Sequence, residues 1–326
     1  MLMLAQASAH ALPLGDESVQ MCVTSPPYWG LRAYQGEQRF AWGGGAWYGA
    51  LGLEPTPELY VEHIVEVFRE VRRVLRPDGT LWLNLGSSYA GGGNGGGGSF
   101  ATERPGWSVF GGRDPSRYTA TLGRKQLVPI PWLVGLALQQ DGWILRCDVI
   151  WSKPNPMPES VRDRPTKAHE YVLLLSKAER YFYDADAIRE PHATPVERRG
   201  NKHGAMALRG QEAIRPRGNL EHTDDPAARY YANGGRNARS VWEIATQPYP
   251  GAHFATYPER LAERCILAGS AAGDIVLDPF NGSGTTGRVA LRHGRRYVGL
   301  DISREYLVEQ SRTRIDRIQH EMGLGL

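Results

Sequence analysis

The sequence Val19–Thr24 is a run of apolar residues that reads as a buried strand, and it stops abruptly at Ser25, Pro26, Pro27 and Tyr28. Proline has no N–H to give to a ladder, so two in succession end a central strand and force a stiff, extended exit. A serine hydroxyl, the proline carbonyls and a phenol ring are then held together at a strand tip. Two acceptors beside a ring suit a flat nucleobase carrying an exocyclic amino group.

Periodicity elsewhere alternates between strand and helix. A helix is expected after Thr56, with Pro57 at its first position, Glu58 in its first turn, and Leu59, Ile64, Phe68, Val71 and Leu75 facing a core. Arg76, Pro77, Asp78 and Gly79 read as a turn, and 80–85 as a strand. A helix over 131–140 and strands over 143–151 and 171–176 follow. Towards the C-terminus a helix is expected at 258–268, a strand at 274–278, a helix at 284–293, a strand at 296–301 and a helix at 303–319. Residues 36–52, rich in glycine and aromatics, read as a loop, either folded over a ligand or with its rings packed inward. Residues 91–98 are almost all glycine, and 87–124 are expected to form a mobile loop. From 188 to 240 apolar residues thin out and arginines recur, among them Arg189, Arg198, Arg209, Arg217 and Arg239, which reads as a substrate-reading module or a solvated linker.

A second motif lies near the C-terminus. Asp278, Pro279, Phe280, Asn281, Gly282, Ser283, Gly284 and Thr285 join a strand to a helix, and the next strand ends in Asp301. Glycines let backbone approach a ligand, and an acid about 20 residues on binds ribose hydroxyls in dinucleotide folds. The match of 282–287 to G-x-G-x-x-G admits a nicotinamide- or flavin-dependent oxidoreductase. Such folds usually open with this unit, however, and an acid placed before the loop suits the amino group of an amino-acid ligand. A nucleoside bearing an amino acid, S-adenosyl-L-methionine, meets both conditions.

Composition narrows the class further. The chain has 326 residues, 41% of them hydrophobic, which allows one large α/β domain with an insertion. No stretch approaches the roughly 20 apolar residues that span a bilayer, and 1–10 lacks a basic region and a long apolar segment, so no membrane association and a cytoplasmic location are expected. A net charge of +3 permits a polyanion partner. Cys22, Cys147 and Cys265 show no CxxC spacing, and no metal site is expected.

With both motifs in place, the chain resembles the β group of amino-DNA methyltransferases, in which the catalytic motif precedes the cofactor motif and target-recognition sequence lies between. The segments 70–84, 150–164 with His169, Glu170 and Tyr171, and 253–258 are similar to further family motifs. The resemblance implies a Rossmann-like α/β fold: a mostly parallel, doubly wound sheet with circularly permuted motif order. Residues 1–187 would form its catalytic half, 188–240 an inserted target-recognition region and 241–326 its cofactor half. It implies S-adenosyl-L-methionine bound by Asp278, Pro279, Phe280, Gly282, Ser283, Gly284, Thr285, Asp301 and Phe254. Ser25 and Pro26 would accept the amino hydrogens of a flipped base, with Pro27 and Tyr28 completing the catalytic motif and Tyr28 stacking on the base. Lys153 and Asn155 would line the base pocket, with Trp29 and Arg32 as further candidates, and Arg162 and Arg164 would touch phosphates. Double-stranded DNA is the implied partner, with a cognate restriction endonuclease as a second; monomer and homodimer both stay open. No cysteine follows a proline, which argues against C5-cytosine chemistry. Serine at position 25 resembles the cytosine-N4 pattern, with adenine N6 as the alternative. An RNA or protein-amide methyltransferase and a non-catalytic DNA-binding module are the remaining readings.

Overall fold

The computed structural model describes residues 2–30, 39–90, 123, 125–191, 235–247 and 257–315. Arg32, Phe254, the 91–98 glycine tract and most of the arginines of 188–240 lie outside them. Contacts divide the chain into two compact units, Met1–Tyr183 with Ser240–Leu326, and Asp184–Arg239. In the smaller unit, Glu190 and Arg236 exchange backbone hydrogen bonds at 2.9 Å. Arg239 Nε donates to Glu190 Oε2 at 3.0 Å.

The larger unit is built on one eight-stranded sheet. In chain order its strands are β1 (Leu2–Gln6), β2 (Val19–Thr24), β5 (Leu75–Leu85), β8 (Ile144–Ser152), β9 (His169–Ser176), β10 (Val241–Glu243), β11 (Ile275–Asp278) and β12 (Arg296–Asp301). Two small antiparallel pairs are also present among the described residues: β3 (Phe40–Trp42) with β4 (Trp47–Gly49), and β6 (Ser88–Tyr89) with β7 (Leu127–Val128). The spatial order is β1-β12-β11-β2-β5-β9-β8-β10. Pairing is parallel except where β9 runs against β5 and β8. This is the doubly wound α/β arrangement expected. Strand order reverses between β11 and β2: from β11 the chain moves outward to β12, and from β2 it moves the other way to β5. Open α/β sheets bind ligands at such a switch point, beyond the carboxyl ends of the strands.

Helix α1 (Pro57–Val74) follows its end signals closely. Thr56 Oγ1 accepts from Leu59 N at 3.2 Å, and Arg72 and Arg73 lie in the last turn. Its buried face carries Tyr60, Ile64, Val67, Phe68, Val71 and Val74; Leu59, expected in the core, is only half-buried. Helices α2 (Ile130–Gln140), α3 (Glu259–Gly269) and α4 (Thr285–Arg292) lie within a residue or two of expectation.

Three expectations need correction. The turn at Arg76 to Gly79 lies inside a strand: β5 begins at Leu75, and its register against β2 jumps from Val19↔Leu75 to Met21↔Thr80. The extra residues form a bulge where Pro77 has no N–H for the ladder, and a Cβ on Gly79 would meet the carbonyls of Arg76 and Gln20 at 3.0 Å. The described part of segment 36–52 contains the β3–β4 hairpin rather than only loop; its Trp42 and Trp47 rings pack inward, while Tyr48 is exposed. Trp42 and Trp47 stack on His63 with centroids 4.8 and 5.1 Å away. Beyond Ser303 the backbone is helical only in part as an α-helix, with Tyr306–Arg312 wound as a π-helix. No helix among the described residues is long and apolar enough to cross a membrane.

Candidate active site

β11 and β2 are neighbours, paired Val276↔Met21 and Leu277↔Cys22, so the glycine-turn motif and the serine–diproline motif leave adjacent strand tips. One hydrogen bond joins them directly: buried Thr24 Oγ1 donates to Asp278 Oδ1 at 2.6 Å. Thr286 Oγ1 donates to Asp278 Oδ2 at 2.5 Å and Tyr257 OH lies 3.3 Å from the same oxygen. The Phe280 N–H donates to Oδ1 at 3.1 Å. Burial pushes the Asp278 carboxyl up, and these donors pull it back. Both oxygens are therefore taken by the protein. The expected contact from Asp278 to a ligand amino group gives way to a structural one, a knot between the two motifs.

The turn after β11 is shaped by its glycines. Gly282 (φ +48°) and Gly284 (φ +77°) adopt left-handed backbone, and a Cβ on Gly284 would collide with Ser311. Gly282 N donates to Asp301 Oδ2 at 2.8 Å and Ser303 N donates to Oδ1 at 2.9 Å. Burial raises Asp301 to about 6 despite these two donors. Ser283 and Thr285 are held from the side by Arg314, whose Nη1 donates to their hydroxyls at 3.0 and 3.2 Å. Pro279 is buried, and the half-exposed Phe280 ring packs against the core.

This donor set fits S-adenosyl-L-methionine. Each Asp301 oxygen has a further lone pair for a ribose hydroxyl, and the Phe280 ring offers a face for a sulfonium.

On the acceptor side, Ser25 is half-buried and its Oγ lies 3.5 Å from Tyr28 OH. Tyr28 OH faces Glu170 Oε2 at 2.7 Å and Asn84 Oδ1 at 3.0 Å. Burial, and then the Glu170 charge, push this phenol well above its ordinary range. The ring lies close on Gly86, where a Cβ would come within 2.7 Å of Tyr28 Cε2. The Pro27 carbonyl accepts from Tyr60 OH at 2.9 Å. The Pro26 carbonyl has no donor among the described residues. Trp29 is a core residue, its indole N–H donating to the Glu54 carbonyl at 3.1 Å.

The residues expected to face DNA divide. Lys153 is turned inward, ion-paired with Glu170 and 4.3 Å over the Trp151 ring. Asn155 accepts from Thr246 N at 2.8 Å and donates to its carbonyl at 3.2 Å, fastening its own loop. Arg164 pairs with Glu159 at 2.7 Å and lies 4.0 Å over Tyr89. Arg162 is exposed. Thr24, Asn84, Tyr257, Thr286 and Arg314 were not singled out from sequence. Each acts through a partner distant in the chain, and no local pattern marks such a pairing.

Together, the switch-point sheet, the glycine turn with its acidic neighbour and the serine–diproline corner define a nucleoside-binding α/β transferase. A family model described as DNA methylase, of the N6/N4 methyltransferase type, matches residues 19–311. The Type II methyltransferase M.SmaI of Serratia marcescens is 42% identical over 296 residues, covering 90% of this chain and 83% of that protein. M.Cfr9I of Citrobacter freundii is 38% identical over 303 residues, covering 91% and 80%. Among solved structures, the PvuII cytosine-N4-specific DNA methyltransferase superposes with a TM-score of 0.60 at 18% identity, covering 100% of this chain and 93% of that one. A Thermus thermophilus protein described as a putative DNA modification methylase, solved with S-adenosyl-L-methionine, gives 0.56 at 22% identity, covering 98% and 94%. At such identities these two likenesses speak for the fold alone. The chain belongs to the N6/N4 DNA methylase family. It is an S-adenosyl-L-methionine-dependent DNA methyltransferase.

Proposed function

We propose that this enzyme methylates N4 of cytosine in duplex DNA at a specific site. The observation that supports a shared site for donor and acceptor is the Thr24–Asp278 hydrogen bond, which joins the tips of the two motif strands at the switch point; the choice of cytosine rests on Ser25. When bound, S-adenosyl-L-methionine supplies a methyl carbon made electrophilic by its sulfonium. Asp301 would hold it by the ribose and Phe280 would pack beside it, over the 282–285 turn.

The chain's own residues solve the acceptor's problem. An exocyclic amine is a poor nucleophile because its lone pair is conjugated with the ring. Ser25 Oγ and the Pro26 carbonyl would accept its two hydrogens, drawing the nitrogen towards tetrahedral geometry and freeing the lone pair. Alignment of this kind supplies much of the acceleration in a group transfer. Tyr28 would stack on the base, which must leave the duplex to reach the site. Serine at position 25 supports cytosine, as the resemblance to the N4 pattern implies. Residues 188–240, rich in arginine, would read the target. The relatives named Type II methyltransferases support pairing with a restriction endonuclease.

Mass spectrometry of nucleosides from DNA methylated by the purified enzyme tests the base choice. N4-methylcytosine is expected, and N6-methyladenine alone would overturn it. Ser25→Ala should lower kcat by about 100-fold, with cofactor affinity by calorimetry nearly unchanged; full turnover in this variant would reject the amine geometry.

A further inference from the structure

Beneath the serine–diproline corner lies a partly buried polar cluster in which the Tyr28 hydroxyl meets Asn84, Glu170 and Lys153, groups that the mechanism above does not use. Tyr28 follows β2, Asn84 lies on β5, Glu170 on β9, and Lys153 directly after β8, so the cluster crosses four strands. Its groups have fixed hydrogen-bonding senses. Asn84 Nδ2 donates to the Tyr171 carbonyl at 3.1 Å and to Glu170 Oε2 at 3.2 Å. These partners only accept, so the amide orientation is set and its oxygen faces Tyr28. Glu170 is partly buried, its side chain 17% exposed. Burial alone would raise its carboxyl, but the Lys153 charge, hydrogen bonds from Lys153 and Tyr28, and the Lys167 charge hold it below its ordinary range. An ionised carboxylate only accepts.

The Tyr28 hydroxyl thus meets an acceptor at 2.7 Å and another at 3.0 Å, and its single proton goes to one of them. What remains on its oxygen is a lone pair facing Ser25 Oγ, 3.5 Å away. Ser25 then donates its own proton to Tyr28, which leaves both Ser25 lone pairs pointing elsewhere. We infer that Glu170 is a positioning residue that sets Ser25 as a hydrogen-bond acceptor through the Tyr28 hydroxyl. The inference rests on the proposed role of Ser25 towards a base amine. It also gives Lys153 a role the sequence did not suggest: it is the internal counter-ion that keeps Glu170 acceptor-only.

Glu170→Gln tests this, because a glutamine amide can donate to the Tyr28 oxygen while the phenol proton goes to Asn84 Oδ1. The lone pair that takes the Ser25 proton is then occupied, and Ser25 is left to donate towards the base instead of accepting from it. The expected result is a fall in kcat of about 10- to 100-fold, with the KM for S-adenosyl-L-methionine unchanged. Tyr28→Phe removes the relay, so adding Glu170→Gln to it should cause no further loss. Equal, multiplying losses in the two backgrounds would overturn the inference and leave Glu170 a structural residue. If Glu170→Gln fails to fold because Lys153 is left unpaired, Lys153→Met with Glu170→Gln removes both charges, and the same cycle with Tyr28→Phe decides. Impaired Ser25→Ala with multiplying losses refutes only the Glu170 relay. Undiminished Ser25→Ala refutes the amine geometry, and the relay with it.

Discussion

Replacing Asp301 by asparagine separates the cost of burying a charge from its use in binding. In the folded protein this carboxyl is raised to about 6 from an ordinary 3.8, chiefly by burial and in spite of N–H donors from Ser303 and Gly282. A difference of about 2 units corresponds to about 3 kcal/mol against the ionised folded state. Because the folded value is the higher one, the folded protein holds the extra proton in the window between the two values. Its stability therefore falls as pH rises from about 4 to about 6, and above that the full cost is present. Asparagine does not titrate. It gives up one acceptor for a backbone N–H, but that loss is the same at every pH and cancels between two conditions. The stability of Asp301→Asn relative to the parent should accordingly be about 1.4 kcal/mol more favourable at pH 8 than at pH 5. Urea unfolding of both proteins without ligand, at the two pH values, measures it. A difference of zero, or one favouring pH 5, would refute the reasoning. The same variant should bind S-adenosyl-L-methionine at least about 10-fold more weakly, read by calorimetry at pH 8. Asp301 would then be a residue whose charge destabilises the fold and is retained for its ligand.

Two further outcomes follow from the site geometry. Thr24→Val keeps the shape of a fully buried residue but removes its 2.6 Å donor to Asp278. It should cost about 1.5–3 kcal/mol in urea unfolding, and a loss under about 0.5 kcal/mol would show that the knot is not structural. Gly86→Ala would place a Cβ 2.7 Å from Tyr28 Cε2. It should lower kcat while cofactor binding by calorimetry stays at the parental value, and unchanged kcat would mean the ring position is not critical.

The elements were legible wherever a local rule governs them. Thr56, Pro57 and Glu58 open α1 because capping and φ preference act within one turn. Val19–Thr24 is a strand and ends at Pro26 because a missing N–H cannot be supplied from elsewhere. β1 and β10 were not recognised: both are edge strands of three to five residues, and β10 carries only Trp242 into the core. The bulge in β5 was read as a turn because Pro77 and Gly79 signal a break but do not say that pairing resumes on both sides of it.

At the site the division is sharper. Sequence determined the chemistry on offer: a serine beside two prolines and a tyrosine, and a glycine turn followed by an acid. The folded sheet decided which of these groups face a ligand and which face each other. Asp278, Lys153 and Asn155 look like ligand contacts in the linear chain, yet each finds a partner within the protein. A charge withdrawn from water, as at Asp278 and Lys153, must be satisfied by whatever the sheet brings beside it, whereas exposed Asn155 ties its loop to Thr246. Such partners stand up to 254 positions apart, as Thr24 and Asp278 do, so pairing order across the strands selects them and proximity in the chain does not.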